Sequence, residues 1–207
     1  MRFEGIVTAF RVTVVTLVLT GLVYPFAMTG MAQALFHHRA NGSLVREEGG
    51  AVVGSELIGQ AFTNPAYLQG RPSAAGNNGY DATSSSGSNF GPTSKKLQDR
   101  VAADVARLHK ENPEAPLPVP ADLVTASASG LDPDLSPQAA LWQVPRIAHA
   151  RQISADRVEA VVERAIQARD LGVFGEPRVN VLTTNLALDQ QFGKPSATPP
   201  APAAAQK

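Results

Sequence analysis

VTVVTLVLTGLVYPFAMTGMAQALF, residues 12–36, is an unbroken run without a charged side chain. A helix rises about 1.5 Å per residue, so this run extends roughly 35 Å, enough for the hydrocarbon core of a bilayer. Tyr24 and Pro25 lie near its middle. Because proline removes a backbone donor, we expect a kink there. The run therefore predicts a single N-terminal transmembrane helix.

A cleaved signal peptide is the alternative, since Ala32-Gln33-Ala34 fits an A-x-A cleavage pattern. A retained anchor is favoured, because the apolar run is long for a signal peptide and continues through that pattern. The positive-inside rule does not predict the orientation of this helix in the membrane, because two basic residues flank each end of the run: Arg2 and Arg11 before it, and Arg39 and Arg46 after it. A short N-terminal segment before a large C-terminal domain favours the N-terminus inside and the domain outside.

Small and hydroxylated side chains recur along nearly one face of this helix, at Thr13, Thr16, Thr20 and Tyr24. Such a face can approach another transmembrane helix closely and hydrogen-bond across it. The simpler interpretation is that each threonine hydroxyl bonds back to its own helix. A lone anchor does not need the stripe, so it is interpreted as a membrane partner face.

Composition limits the remaining possibilities. The chain has 207 residues, no cysteine and a formal net charge of zero. Disulfides and thiolate metal sites are excluded. A nucleic-acid partner is not expected, because no basic stripe is present to displace counterions. The predicted organisation is a short N-terminal segment, a transmembrane helix, a soluble domain and a tail, at residues 1–11, 12–36, 37–192 and 193–207.

The soluble domain mixes strand and helix patterns. A hairpin is predicted around residues 44–53, and a short strand at 179–182. Helices are predicted from caps at Thr93 or Ser94, at Ser136 and at Ser154, the last ending before Gly172, with a final helical turn or two in residues 184–192. Pro145 should bend or end the second helix. The fold class is an α+β (or α/β) domain on a single anchor, with a disordered Pro/Ala-rich tail.

The stretch SSSGSNFGP, residues 84–92, belongs to a polar segment that begins at Arg71. Three interpretations are open: a phosphate cradle, a disordered linker, or an ordered loop that docks on something else. No lysine lies between Arg71 and Lys95, so a bound triphosphate would lack its usual charge partner. The aromatic residues Tyr80 and Phe90 favour an ordered docking loop.

Catalytic patterns are scarce. The chain has neither a complete Walker motif nor a G-x-S-x-G elbow. Ser127 or Ser129 could act as a nucleophile only if His149 and a carboxylate, Asp132 or Asp134, completed a triad. A membrane-anchored or secreted hydrolase is therefore kept as the alternative. No metal is expected: the histidines do not show ligand spacing, and Asp132-x-Asp134 lacks the rest of a calcium loop.

Several short blocks, spread from about residue 20 to residue 189, are distinctive together. They are Val23-Tyr24-Pro25, Asn41-Gly42-Ser43-Leu44, Gly54-Ser55-x-Leu57-Ile58-Gly59-Gln60-x-Phe62, Gly70-Arg71-Pro72-Ser73-Ala74, Ser88-Asn89, Leu123-Val124-Thr125-Ala126-Ser127-Ala128-Ser129-Gly130-Leu131-Asp132, Pro137-Gln138-Ala139-Ala140-x-x-Gln143-Val144-Pro145-Arg146, Val179-Asn180-Val181-Leu182 and Asn185-Leu186-Ala187-Leu188-Asp189. In this combination the sequence resembles the KdpC family, the C subunit of the Kdp potassium-transporting ATPase.

The resemblance implies an accessory subunit of a high-affinity, ATP-driven potassium uptake complex. Its partners would be a potassium-channel-like subunit and a P-type ATPase subunit that hydrolyses ATP through an aspartate in D-K-T-G. This chain contains no D-K-T-G, which fits a non-catalytic role in assembly and stability. The implied location is the bacterial cytoplasmic (inner) membrane, with a single pass and the soluble domain on the outer face.

The family is also described as a catalytic chaperone that raises the ATP affinity of the P-type ATPase subunit. One proposal has a loop motif S-G-G-S-N contact the nucleotide together with a glutamine. The matching residues here are Ser85, Ser86, Gly87, Ser88 and Asn89, with Ser86 in place of the first glycine, and Gln60 as the candidate glutamine. ATP is therefore the one cofactor that the resemblance implies.

An outer location conflicts with that contact, because ATP and the ATPase head lie inside the cell. A loop across the bilayer cannot touch cytoplasmic nucleotide. Any effect of the outer domain on ATP affinity would then be a coupling free energy between separate sites.

Overall fold

The computed structural model describes residues 3–47 and 49–195. The chain divides into two compact units, the first ending at Leu44 and the second beginning at Val45. Residues 196–207, which make up most of the tail predicted to be disordered, lie outside the described residues.

The first unit is mainly one long apolar helix. It comprises α1 (Phe3–Val18), a π-helical segment (Leu19–Val23) and α2 (Tyr24–Leu35), followed by the short α3 (His37–Ala40). From Phe3 to Leu35 it is long and apolar enough to cross a membrane. The predicted long apolar helix is confirmed as a candidate membrane span, and it starts upstream of residue 12.

The π-helical segment lies directly before Pro25, where the sequence predicts a kink. The Tyr24 N–H donates to the Leu19 carbonyl, five residues back rather than four. Because Pro25 has no N–H, the regular ladder is interrupted at this point, and a widened turn keeps neighbouring carbonyls bonded. The helix thus continues through the proline with a local change of register.

Strands β1 (Leu44–Arg46), which begins at the last residue of the first unit, and β2 (Val52–Ser55) form the predicted hairpin as a two-stranded sheet. Residues 56–94, all of which the structure describes, contain turns and irregular backbone but no helix or extended strand. Helix α4 (Lys95–Glu111) follows and has Ser94, one of the two predicted caps, at its N-cap position, although the Ser94 side chain makes no capping hydrogen bond.

A single 3₁₀ turn (Ala121–Leu123) precedes three further helices, α5 (Pro137–Trp142), α6 (Val144–Arg151) and α7 (Ala155–Arg164). The Ser136 hydroxyl caps α5 by accepting the Ala139 N–H at 3.2 Å. Proline is tolerated in the first turn of a helix but not in its interior, and Pro145 accordingly lies at the start of α6.

A three-stranded antiparallel sheet is formed by β3 (Asp134–Leu135), β4 (Ile166–Gln167) and β5 (Arg178–Asn180), in the order β3-β5-β4. The prediction that the third helix runs nearly to Gly172 is wrong, because residues 166–167 leave α7 to pair with β5. Helix α8 (Val181–Phe192) starts directly after β5 and is longer than predicted. The Asn180 side chain caps it by accepting the Thr183 N–H at 3.1 Å.

The core of the second unit lies among α5 to α8 and the three-stranded sheet. Its fully buried members include Leu68, Leu135, Ile147, Val158, Val162, Val179 and Leu188. The apolar stripes predicted for α4 and α7 face this core through Leu108 and through Val158, Val161 and Val162. Small antiparallel sheets packed with helices make the unit an α+β domain.

Candidate functional site

The polar segment 71–92 lies against residues 127–132 and is held there by hydrogen bonds. The Ser73 hydroxyl donates to the Gly130 carbonyl at 2.6 Å. The Ser129 carbonyl accepts twice, from the Ser85 hydroxyl at 2.9 Å and from the Ser86 N–H at 3.0 Å. Of the three interpretations that the sequence left open, the structure therefore favours an ordered loop. We call residues 71–92 the polar loop.

The polar loop also holds its own shape through Tyr80. The Tyr80 N–H donates to the Ser73 hydroxyl oxygen at 2.7 Å, and its phenol donates to the Arg71 carbonyl at 2.6 Å. Burial, followed by the nearby Asp132 carboxylate, raises the pKa of Tyr80 to about 12. The phenol is therefore protonated at neutral pH and keeps its proton for this bond.

Two glycines allow the polar loop and residues 127–132 to approach closely. A Cβ added at Gly87 would lie 2.8 Å from the Ala128 carbonyl oxygen. A Cβ at Gly130 would lie 2.6 Å from the Ser86 carbonyl oxygen, and Gly130 has a φ of +68°. Gly87 of the SSSGSN stretch is therefore required by packing of one backbone on another.

The positive charge at the start of the polar loop is compensated within the chain. The Arg71 guanidinium lies 2.9 Å from the Asp132 carboxylate. The other Asp132 oxygen accepts the Asp134 N–H at 3.1 Å. The Arg71 Nε is buried and has no hydrogen-bond partner among the described residues. An anion on the polar loop would have to share this guanidinium with Asp132.

Gln60 lies on a segment that contacts the same residues as the polar loop. The Gly59 N–H donates to the Leu131 carbonyl at 2.8 Å. The side-chain amide of Gln60 donates to the Val53 carbonyl at 2.9 Å, which fixes it on β2. The structure thus places the segment of Gln60 and the serines of the polar loop on one shared strip, residues 127–132.

A shallow depression of about 540 Å³ lies on this strip. Its lining combines apolar and polar side chains: Leu57, Ile58, Arg71, Ser127, Ala128, Ser129, Leu131, Asp132 and Pro133. The exposed Leu57 and Ile58 stand beside the Arg71–Asp132 ion pair. A mixed, open surface of this kind suits contact with another protein better than enclosure of a small molecule.

The hydrolase alternative is not supported. The Ser127 and Ser129 hydroxyls lie 3.1 Å apart and bond to each other. His149 lines a different cleft, together with residues of α6 and the chain that follows α4. Among residues 3–47 and 49–195, no group of three His, Cys, Asp or Glu residues is arranged to hold a metal.

That second cleft, of about 760 Å³, is bounded by α6, residues 110–114 and residues 192–195. Its two central arginines are structural. Arg146 is buried, and it donates to the Pro65 and Tyr67 carbonyls at 2.6 and 3.1 Å and to Gln143 Oε1 at 2.7 Å. Burial lowers its pKa to about 10. Arg151 pairs with Asp189 at 2.8 Å.

Sequence reasoning did not identify what these polar residues do. Gln143 and Asn185, both buried, hold the irregular backbone of Leu68 and Gln69 in place of a neighbouring strand. The available signal was a carboxamide close to core residues in the sequence: Gln143 lies between Trp142 and Val144, and Asn185 lies in α8 three residues before Leu188. Buried polar groups need partners, so such a residue indicates a backbone segment to be satisfied.

In the first unit, the side chains of the predicted partner face are exposed along their whole length. The Thr20 hydroxyl donates to the Thr16 carbonyl of its own helix at 2.8 Å. For this one hydroxyl, the structure agrees with the simpler interpretation, in which a threonine bonds back to its own helix. Contact of Thr13, Thr16, Thr20 and Tyr24 with a partner helix stays a prediction.

Residues 6–190 match the family model described as KdpC: K+-transporting ATPase, c chain. A "Potassium-transporting ATPase KdpC subunit" of Myxococcus xanthus is 59% identical over 198 residues, covering 95% of this chain and 93% of the relative. Proteins of the same name from Methylobacterium nodulans and Koribacter versatilis are 57% and 50% identical, and these alignments cover 85% and 90% of this chain and 92% and 94% of the relatives. The similarity therefore includes the long apolar helix, the polar loop and the strip on which the loop lies.

Proposed function

We propose a function from the premise that the chain belongs to the KdpC family, the c chain of the K⁺-transporting ATPase. The chain is a membrane-associated subunit of that complex with one candidate transmembrane helix. Its proposed role is non-catalytic: it docks on the potassium-channel-like subunit and on the P-type ATPase subunit, and it supports their assembly and stability.

The observation that carries this proposal is the fixed polar loop. The Ser85 hydroxyl and the Ser86 N–H are both bonded to Ser129, and Arg71 is neutralised by Asp132. A loop held in place by such bonds presents a preformed surface and loses little conformational entropy on docking. That surface, with the adjacent Leu57 and Ile58, is the proposed contact with another subunit.

The catalytic-chaperone activity attributed to the family is proposed to act at a distance. In this view the chain biases the conformational equilibrium of the P-type ATPase subunit, and ATP affinity changes through a coupling free energy. The opposing proposal is a direct contact of ATP with Gln60 and residues 85–89. Direct contact is disfavoured because these groups already have partners within the chain. The Ser85 hydroxyl and the Ser86 N–H donate to the Ser129 carbonyl, and the Gln60 side-chain amide donates to the Val53 carbonyl.

The sidedness of the soluble domain separates these two proposals. The chain has no cysteine, so Ser88→Cys introduces a single reactive thiol. Labelling by a membrane-impermeant maleimide is expected in cells in which only the outer membrane is permeabilised. Labelling that requires a broken inner membrane would instead support direct ATP contact. Ser84→Cys, at an exposed position of the same loop, and denatured samples control for burial of Ser88 in the complex.

The accessory role has its own test. Membranes from cells lacking this chain are expected to lose potassium-stimulated ATPase activity, and the remaining subunits should co-purify poorly. Re-expression of the full chain should restore both. Normal assembly and activity without the chain would overturn the proposed function.

A further inference from the structure

The hairpin between β4 and β5 carries an exposed apolar tip. Gln167 pairs with Arg178, and a bridge between Asp170 and Phe174 closes the end of the hairpin. Within this end, Leu171, Val173 and Phe174 are 90%, 68% and 64% exposed. We call residues 170–174 the apolar tip. Three large apolar side chains in one short turn indicate a surface that something covers.

Most backbone N–H groups of the apolar tip are already hydrogen-bonded. Asp170 and Phe174 exchange two N–H···O bonds, each of 2.9 Å. The Gly172 N–H donates to the Arg169 carbonyl at 3.0 Å, and the Val173 N–H donates to the Asp170 carbonyl at 3.2 Å. These groups would not be left unsatisfied in an apolar medium, which is the main cost of moving a loop out of water.

The charges at the base of the apolar tip compensate one another. Arg169 pairs with Glu176 at 2.5 Å. Arg178 lies 3.5 Å from Asp134 and 3.9 Å from Asp170. Residues 169–178 contain two arginines and two acidic residues, so their formal net charge is zero. An anionic lipid surface would therefore meet no net negative charge at this loop.

The connection between the candidate membrane helix and the second unit is short. Helix α2 ends at Leu35 and the second unit begins at Val45, so residues 36–44 form the connection. Nine residues extend at most roughly 30 Å. The start of the second unit is therefore tethered within that distance of the end of the helix, so a bilayer that the helix spans is present at high effective concentration, as for any tethered binding pair.

We propose that Leu171, Val173 and Phe174 insert into the interface of the bilayer that the N-terminal helix spans, about 5–10 Å deep. The occupant is lipid, because the large side chains of the tip are apolar and exposed, its one charged residue, Asp170, lies 3.9 Å from Arg178, and most of its backbone N–H groups are hydrogen-bonded. A pocket on another subunit is the competing occupant. The inference depends on the membrane helix, not on the docking role proposed for the polar loop. Failure of one therefore leaves the other testable.

The experiment places an environment-sensitive fluorophore on the single cysteine of Val173→Cys. The full chain is reconstituted without other subunits into vesicles of equal parts phosphatidylethanolamine and phosphatidylglycerol. The expected result is a blue shift of emission and a loss of intensity with acyl-brominated lipid, together with protection from aqueous iodide. Leu117→Cys, a similarly exposed apolar position outside the tip, is the matched control and should retain more of its emission than Val173→Cys.

Quenching by iodide but not by brominated lipid would overturn the proposal, as would equal lipid quenching at residues 173 and 117. Protection from iodide that arises only when the other ATPase subunits are co-reconstituted would assign the tip to a protein pocket and also overturn it. Leu171→Cys gives an independent reading at the most exposed position, should Val173→Cys misfold.

Discussion

The side-chain amide of Asn185 forms two hydrogen bonds with the backbone of Leu68. It accepts the Leu68 N–H at 2.8 Å and donates to the Leu68 carbonyl at 2.9 Å. Gln143 does the same with Gln69, at 2.9 and 3.0 Å. Two carboxamides, Asn185 of α8 and Gln143 between α5 and α6, thus replace the neighbouring strand that this irregular segment lacks.

Asn185→Ala is expected to lower the free energy of unfolding by about 2–4 kcal/mol, because it leaves a buried N–H and a buried carbonyl without partners. Chemical denaturation of the full chain in detergent measures the change. Asn77→Ala, at an exposed asparagine, is the control and should change stability by no more than about 0.5 kcal/mol. Equal effects of the two substitutions would contradict the role assigned to Asn185.

Gly87→Ala should loosen the polar loop. The new Cβ would meet the Ala128 backbone at 2.8 Å, which cannot move as a flexible side chain can, so a cost of about 1–3 kcal/mol is expected. Hydrogen exchange should become faster at the Ser86 amide, which is bonded to Ser129. Gly91→Ala lies in the same loop with no atom within 4 Å of its Cβ, and it should leave exchange unchanged.

Stability should fall at alkaline pH partly through Tyr80. Its pKa is about 12 in the folded chain, raised from 10.0 by burial first and by Asp132 second. Between pH 10 and 12 the folded chain therefore holds a proton that the unfolded chain releases. The stabilisation is complete below pH 10 and is lost as the pH rises toward 12. Tyr80→Phe should reduce the slope of unfolding free energy against pH in this window, and an unchanged slope would show that other groups cause the loss.

If Thr13, Thr16, Thr20 and Tyr24 contact a partner helix, a larger side chain on this face should weaken assembly more than one on another face of the same helix. Thr16→Leu should weaken co-purification with the other ATPase subunits several-fold, because close approach of helices in lipid depends on small residues. Val15→Leu, on another face of the same helix, is the matched control. If both substitutions leave co-purification intact, the stripe is not a contact and its threonines serve only their own helix.

Much of the local structure could be predicted from the sequence because its causes are local. An apolar run of this length satisfies its backbone in lipid only as a helix, and the helix is there from Phe3 to Leu35. Ser136 with Pro137 marks the start of α5, and the apolar stripe of α7 faces the core. These features depend on residues within one or two turns of each other.

The misassigned segments depend on distant residues. Ile166 and Gln167 continue the helical pattern of α7, yet they pair with Val179 and Arg178 of β5. The sequence predicted a strand at 179–182, but Val181 and Leu182 belong to α8 because Asn180 caps a helix there. At both boundaries the backbone can form either helical or strand hydrogen bonds, and the local sequence distinguishes them weakly. Packing against distant residues therefore decides where each helix or strand ends.

The sequence by itself determined a long apolar helix, the cap of α5, the buried faces of α4 and α7, and a polar loop rich in glycine and serine. The tertiary structure alone decided that this loop is fixed on residues 127–132, and that Gln143 and Asn185 hold a segment 74 and 117 positions away. The physical reason is that a hydroxyl or carboxamide can satisfy many partners equally well. Only the folded backbone brings one of them within hydrogen-bonding distance.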